Sequence, residues 1–298
     1  MIYVRPDPLD DADTLPRMPS WVTSLRAEAL EDVAFLSGAA LSHLNMVLGR
    51  DEVPQALLRD RLALRAAEAC MVFAGRPERA GDLRDAVHLL RPGDLPGPAG
   101  ETCLHWQRAV ARPVTVKSLR RALPDLGVEQ IGGWLDAGPR DGLRAPVARA
   151  AAVLERVLVE APRAEATALI LADAALAQAF GWDHLVPLLA AGLKRAEMRK
   201  RGADLRQACY RAVTASAVEA ARLAMELAQR AARLEAVAPK LRAKGAGAAV
   251  GMFLTRDAIA PSALPLPDRA ARRLCDRLVE LGAVRELTGR DSFRLYGV

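Results

Sequence analysis

Aromatic side chains make up only 4% of the 298 residues, although 51% of the chain is hydrophobic. Proteins that hold single-stranded nucleic acid stack the bases on aromatic platforms, and so thin a supply argues against that class. Cysteine is scarce as well. Cys70, Cys103, Cys209 and Cys275 stand apart, with no C-x-x-C and no paired Cys/His spacing. That pattern suggests neither a zinc site nor a disulfide framework. Buried thiols in a reducing compartment are the simplest expectation. Long apolar runs are missing too, because Arg or Glu interrupts each before the roughly 20 residues a membrane helix needs. The first residues, M-I-Y-V-R-P-D-P-L-D-D-A-D, are acidic and proline-rich, unlike a secretion signal. A soluble, cytoplasmic protein without metal or cofactor is expected, with no membrane partner.

What the chain does contain is alanine and leucine, both strong helix formers. Apolar residues recur every three or four positions, and few stretches alternate as strands do. The expected fold is an all-α body followed by a C-terminal winged helix-turn-helix with a small β-hairpin. Residues 1–18 read as a flexible lead, 19–238 as the helical domain and 239–298 as the winged helix-turn-helix. Within the body, long helices are expected over Trp21–Leu48 and Ala203–Val237. Shorter ones are expected over Pro54–Ala74, Ala80–Leu90, Glu101–Val110, Ala145–Val159, Arg163–Phe180 and Leu185–Met198. Proline and glycine break 113–142 into short pieces, and Pro239 marks the boundary between domains.

The C-terminal segment is the most informative. Ala271, Leu274, Leu278 and Leu281 form one apolar stripe on a helix opened by Pro267 and Asp268 and stopped by Gly282. Strands are expected over Val284–Leu287 and Phe293–Tyr296, with Thr288–Ser292 as the tip between them. Upstream, Ala246–Leu254 supplies a first helix, Asp257–Ala260 a short strand and Pro261–Leu264 a cramped second helix. Of the formal net charge of +6, residues 239–298 carry +5, the electrostatic footprint expected of a nucleic-acid reader. The predicted DNA contacts are Arg269, Arg272 and Arg273 on the helix, Arg290 and Arg294 on the wing, and Lys240, Arg242 and Lys244 leading in. Guanidinium forks suit guanine edges and phosphates alike. Asp268, Asp276, Glu280, Glu286 and Asp291 dilute this surface, so a winged helix that binds a protein partner, or a second copy of the chain, is the alternative.

No catalytic residue is singled out. Asp183–His184 lacks a nucleophile, Cys103 with His105 lacks a third ligand, and surface pairing accounts for Arg84, Asp85 and His88. Arg91–Gly100 holds three prolines and three glycines but no G-K-[ST], so a rigid connection is expected rather than a phosphate loop. Trp182 is expected to fill a helix corner and to be largely buried. An enzyme with its site near 83–105 or 181–190 ranks third.

The stretches R-L-A-L-R-A-A (61–67), L-R-D-A-V-H-L-L-R-P-G-D-L-P-G-P-A-G (83–100), L-A-D-A-A-L-A (171–177), G-W-D-H-L-V-P-L-L-A (181–190), A-P-K-L-R-A-K-G-A-G-A-A (238–249) and the final 31 residues from Asp268 stand out. Together they resemble the domain-of-unknown-function family numbered 1403, an alphaproteobacterial group often carried on plasmids and mobile regions. The resemblance spans nearly the whole chain and implies no activity. The ending V-R-E-L-T-G-R-D-S-F-R-L-Y-G-V is also similar to the helix-turn-helix of Fic-annotated proteins. Their H-P-F-x-[DE]-G-N-G loop is absent, so AMP transfer is not implied. The combined reading is a DNA-binding protein in regulation or mobile-element maintenance.

Overall fold

The computed structural model describes residues 17–25, 27–140, 142, 144–241, 244–290 and 293–298. Its helices are α1 (Ser20–Ser24), α2 (Leu30–Leu48), α3 (Gln55–Phe73), α4 (Ala80–His88), α5 (Gly97–Val110), α6 (Val116–Ala122) and α7 (Val128–Leu135). They continue with α8 (Ala137–Arg140), α9 (Pro146–Glu160), α10 (Glu165–Phe180), α11 (Leu189–Gly192), α12 (Gly202–Val237), α13 (Ala246–Phe253) and α14 (Asp268–Glu280). Two short strands, β1 (Arg285–Glu286) and β2 (Tyr296–Gly297), follow as a two-stranded antiparallel sheet. The expected mainly helical chain with a small C-terminal sheet is therefore what is found. The chain divides into two units, each compact in itself. One comprises Met18–Ser42 and Leu62–Ala220; the other comprises His43–Arg61 and Ala221–Val298.

In the first unit α9 and α10 form the central pair. Every residue of α10 from Ala168 to Ala177 is buried, as expected of a helix apolar on all sides. The one charged residue in that run, Asp173, is fully buried and turned to structural use. Its carboxylate accepts the amides of Leu188 at 3.2 Å and Leu189 at 3.0 Å, the opening of α11. Burial pushes its pKa up to about 7, against the lowering effect of these amides.

The same bonds explain a difference from the sequence reading. Only Leu189–Gly192 and a 3-10 turn at Glu197–Arg199 are helical within the stretch 185–198 expected as one helix. Pro187 holds the residue before it away from helical angles, and Asp173 fixes a new helix start. Gly192 then presses on the Ala212 carbonyl and Ser216 hydroxyl of α12, leaving no room for a Cβ.

The expected Trp21–Leu48 helix is likewise broken, ending at Ser24 and resuming at Leu30. The carbonyls of Ala27 and Glu28 in the gap accept from Arg211 and Gln207 of α12, at 3.3 and 2.6 Å. Trp106 and Trp134 are the buried tryptophans of this unit. The Trp106 indole N–H donates to Cys70 Sγ at 3.4 Å, and that of Trp134 to Glu160 Oε2 at 2.7 Å. Trp182, expected to be largely buried, keeps a minor part of its surface exposed and is tilted against Phe180 with centroids 4.9 Å apart.

In the second unit α14 shows the expected amphipathicity, burying Ala271, Leu274, Cys275 and Leu278. Pro267, not Asp268, holds the N-cap position, and no side chain caps the helix. Asp268 sits in the first turn, where a negative charge opposes the positive end of the helix dipole. Gly282 ends the helix at φ 63, a left-handed conformation that favours glycine.

The two strands pair Arg285 with Gly297 and Glu286 with Tyr296. Ile259 adds a further bridge, exchanging two 2.9 Å hydrogen bonds with Tyr296. Ala258, Ala260 and Leu295 form a small apolar core, with Leu287 and Phe293 against it. Beneath lies a buried polar cluster that the sequence did not signal. Arg61 pairs with Asp257, the Asp257 amide donates to Asp60 at 2.8 Å, and Arg61 donates to the Val298 carbonyl at 3.2 Å. Among the described residues no helix is long and apolar enough to cross a membrane.

Candidate nucleic-acid interface

The helical repeat sorts the polar side of α14 into two stripes. Residues four apart are neighbours on a helix surface. Arg269, Arg273 and Arg277 therefore form one row, and Asp268, Arg272 and Asp276 form the next. All six are exposed. The first row is wholly basic, and Arg277 alone of it meets an acid, Glu280 at 2.9 Å. Arg269 and Arg273 make no ion pair among the described residues.

The second row lines a cleft of about 320 Å³ with Ser262, Phe293, Arg294 and Tyr296. Its charge is mixed, so Arg272 faces solvent between two carboxylates. Arg294 leans toward Glu286, 3.7 Å away, and donates to the Arg290 carbonyl at 3.3 Å. A hydrogen bond to Tyr296 and the Glu286 charge raise its pKa further. Burial, first, raises that of the Tyr296 hydroxyl.

Of the other sequence-predicted contacts, Arg290 is exposed beside Gly289, whose φ is 60. Lys240 is exposed on the 3-10 turn Ala238–Lys240, and Lys244 is exposed before α13. Gly245, next to Lys244, approaches the Pro265 carbonyl and Leu266 so closely that an added Cβ would lie 3.1 and 3.3 Å from them. Lys244 thus belongs beside the start of α14. Arg242 lies outside the described residues, as do Asp291 and Ser292 of the expected tip. The structure gathers Arg272 and Arg294 into one cleft and sets Arg269 and Arg273 on the adjoining ridge. The three roles the sequence did not distinguish are the acids in the cleft, the Glu286 partner of Arg294, and the purely basic row. The i, i+4, i+8 spacing carried that last signal.

The candidate sites in the other unit have structural uses. The Asp183 carbonyl accepts the Val114 amide at 2.8 Å, and His184 bridges to Pro113. In the Arg91–Gly100 connection the Arg91 amide donates to Asp94 at 2.9 Å, and Gly100 packs against the Ala86 carbonyl. The Cys103 thiol is buried. Burial, first, and the Arg108 charge lower the pKa of His105. Burial also pushes the Cys70 and Cys275 thiols up to about 12, and Cys209 higher still, conditions that keep thiols unreactive. No group of three His, Cys, Asp or Glu among the described residues is placed to hold a metal ion.

A mainly helical chain ending in an amphipathic helix and a small antiparallel sheet, with cations ranged along the open helix face, defines the class. The chain belongs to the family described as Protein of unknown function (DUF1403), which it matches over residues 6–298. No curated protein matches it.

Proposed function

We propose that α13, the 3-10 turn at Pro261–Ala263, α14 and the β1–β2 hairpin act as a winged helix-turn-helix that contacts duplex DNA. The observation that carries the reading is the open basic row of α14: Arg269 and Arg273 stand exposed and, among the described residues, without acidic partners, while the opposite face is buried. A recognition helix reaches base edges with residues near its N-terminal end, which is where these two lie. Lys240, Lys244 and Arg290 then serve the phosphates, which position a protein without specifying sequence. The wider role we propose, regulation or maintenance of a mobile element, rests on that DNA contact, because the family itself carries no assigned activity.

The alternative, a winged helix that binds protein, draws on a specific observation as well. The Asp268–Arg272–Asp276 row and the Arg294–Glu286 pair give one side of the surface mixed charge, and such a surface suits a protein with complementary charges. The two readings separate by mutation. On the DNA reading Arg273→Gln weakens duplex binding more than Arg272→Gln, because Arg272 is already balanced by its neighbours. No duplex binding, or binding that neither change weakens, favours the protein partner.

A further inference from the structure

A second cationic site lies on the other side of the hairpin. Successive side chains of a strand point to opposite faces. Glu286 is drawn to Arg294, at the cleft described above, whereas Arg285 lines a separate open cleft of about 720 Å³. Gln229, Arg230 and Arg233 of α12 form its opposite wall, and Ala283 and Val284 its apolar floor. The two clefts share no residue. Every charged side chain lining the second is an arginine, and its volume falls within the roughly 300–1,000 Å³ of small-molecule sites.

Arg230 and Arg233 each have near neighbours in the structure. The Arg233 guanidinium lies over Gly282, where an added Cβ would come within 2.9 Å of its terminal nitrogen. Arg230 pairs with Glu226 and reaches the Val298 carbonyl at 3.5 Å. That carbonyl also accepts from Arg61, the buried partner of Asp257. A ligand drawing on Arg230 is thereby coupled to the residue after β2 and to the segment that bridges it.

We propose that this cleft binds a small phosphorylated anion, independently of any DNA contact by α14. Arg233 and Arg285 would fork the phosphate oxygens, the geometry guanidinium groups favour. Gln229 would supply a neutral hydrogen bond, and Ala283 and Val284 would carry the organic portion. Occupancy would tune the hairpin through Arg230 and Val298, making the anion an effector.

The test is calorimetric titration of the full chain with inorganic pyrophosphate at constant ionic strength. Saturable binding at one site per chain is expected, weakened at least tenfold by Arg233→Gln and by Arg285→Gln and unchanged by Arg273→Gln on the other face. All three residues are exposed, and thermal melts check that the variants remain folded. No saturable binding, or an equal loss from Arg273→Gln, overturns the proposal, since either result means only diffuse attraction to a basic surface. No DNA enters the assay, so its outcome stands apart from that of the winged-helix reading.

Discussion

Four single residues show how local chemistry settles structure that composition leaves open. Trp106 has no exposed surface, whereas Trp182 keeps a minor part of its surface exposed. Trp106→Ala is therefore expected to cost about 3–5 kcal/mol, the range for a large aromatic cavity, and Trp182→Ala clearly less. Denaturant unfolding of both variants checks the order, and a larger loss at Trp182 contradicts it.

Asp173 makes a test of pH. Its folded pKa is raised to about 7 from 3.8. Between these values the folded state keeps a proton that the unfolded state has lost, so this residue's contribution to stability falls as pH rises from about 4 to 7. Asp60 acts in the same direction, its pKa also raised chiefly by burial. Asp173→Asn should flatten the stability profile across that window; a variant with the same slope as the parent would remove Asp173 as its source. Gly192 completes the set. Gly192→Ala drives a methyl into the Ala212 carbonyl, and a lowered melting temperature is expected, with α11 the first part to loosen in hydrogen exchange.

At the scale of elements, what the sequence revealed was what short range decides. The α14 helix was legible because Ala271, Leu274 and Leu278 repeat at helical spacing and Gly282 stops it. Its neighbours at Ala246–Phe253 and Arg285–Glu286 fell within the expected limits for similar reasons. The segment 185–198 was not legible, since its helix start is set by a carboxylate 15 residues upstream, in α10. The gap between α1 and α2 depends in turn on side chains of α12 some 180 residues away. Of the candidate site, the cations were legible individually. Their sorting into a basic row and a balanced row was implicit in the spacing, but the Arg294–Glu286 pairing needed the hairpin register.

The hairpin offers a test at this scale. Gly297 sits so near the Asp257 carbonyl that a Cβ has no place. Gly297→Ala should separate the Ile259 bridge from β2 and lower stability. An unchanged melting temperature would show the segment free to shift.

For the whole molecule, the central claim concerns where the charge goes. Residues 239–298 hold +5 of the net +6, and α14 presents part of it outward, on the exposed Arg269 and Arg273. Counterion release makes DNA affinity fall linearly with salt on logarithmic axes, with a slope set by the number of phosphates engaged. The most direct measurement is a salt titration of the full chain binding a random-sequence DNA duplex, repeated with Lys244→Gln/Arg290→Gln. Salt-dependent binding is expected, with the slope reduced by about one unit for each phosphate-contacting residue removed. Binding that ignores salt, or a double variant indistinguishable from the parent, would contradict the account and leave the α14 face to a protein partner.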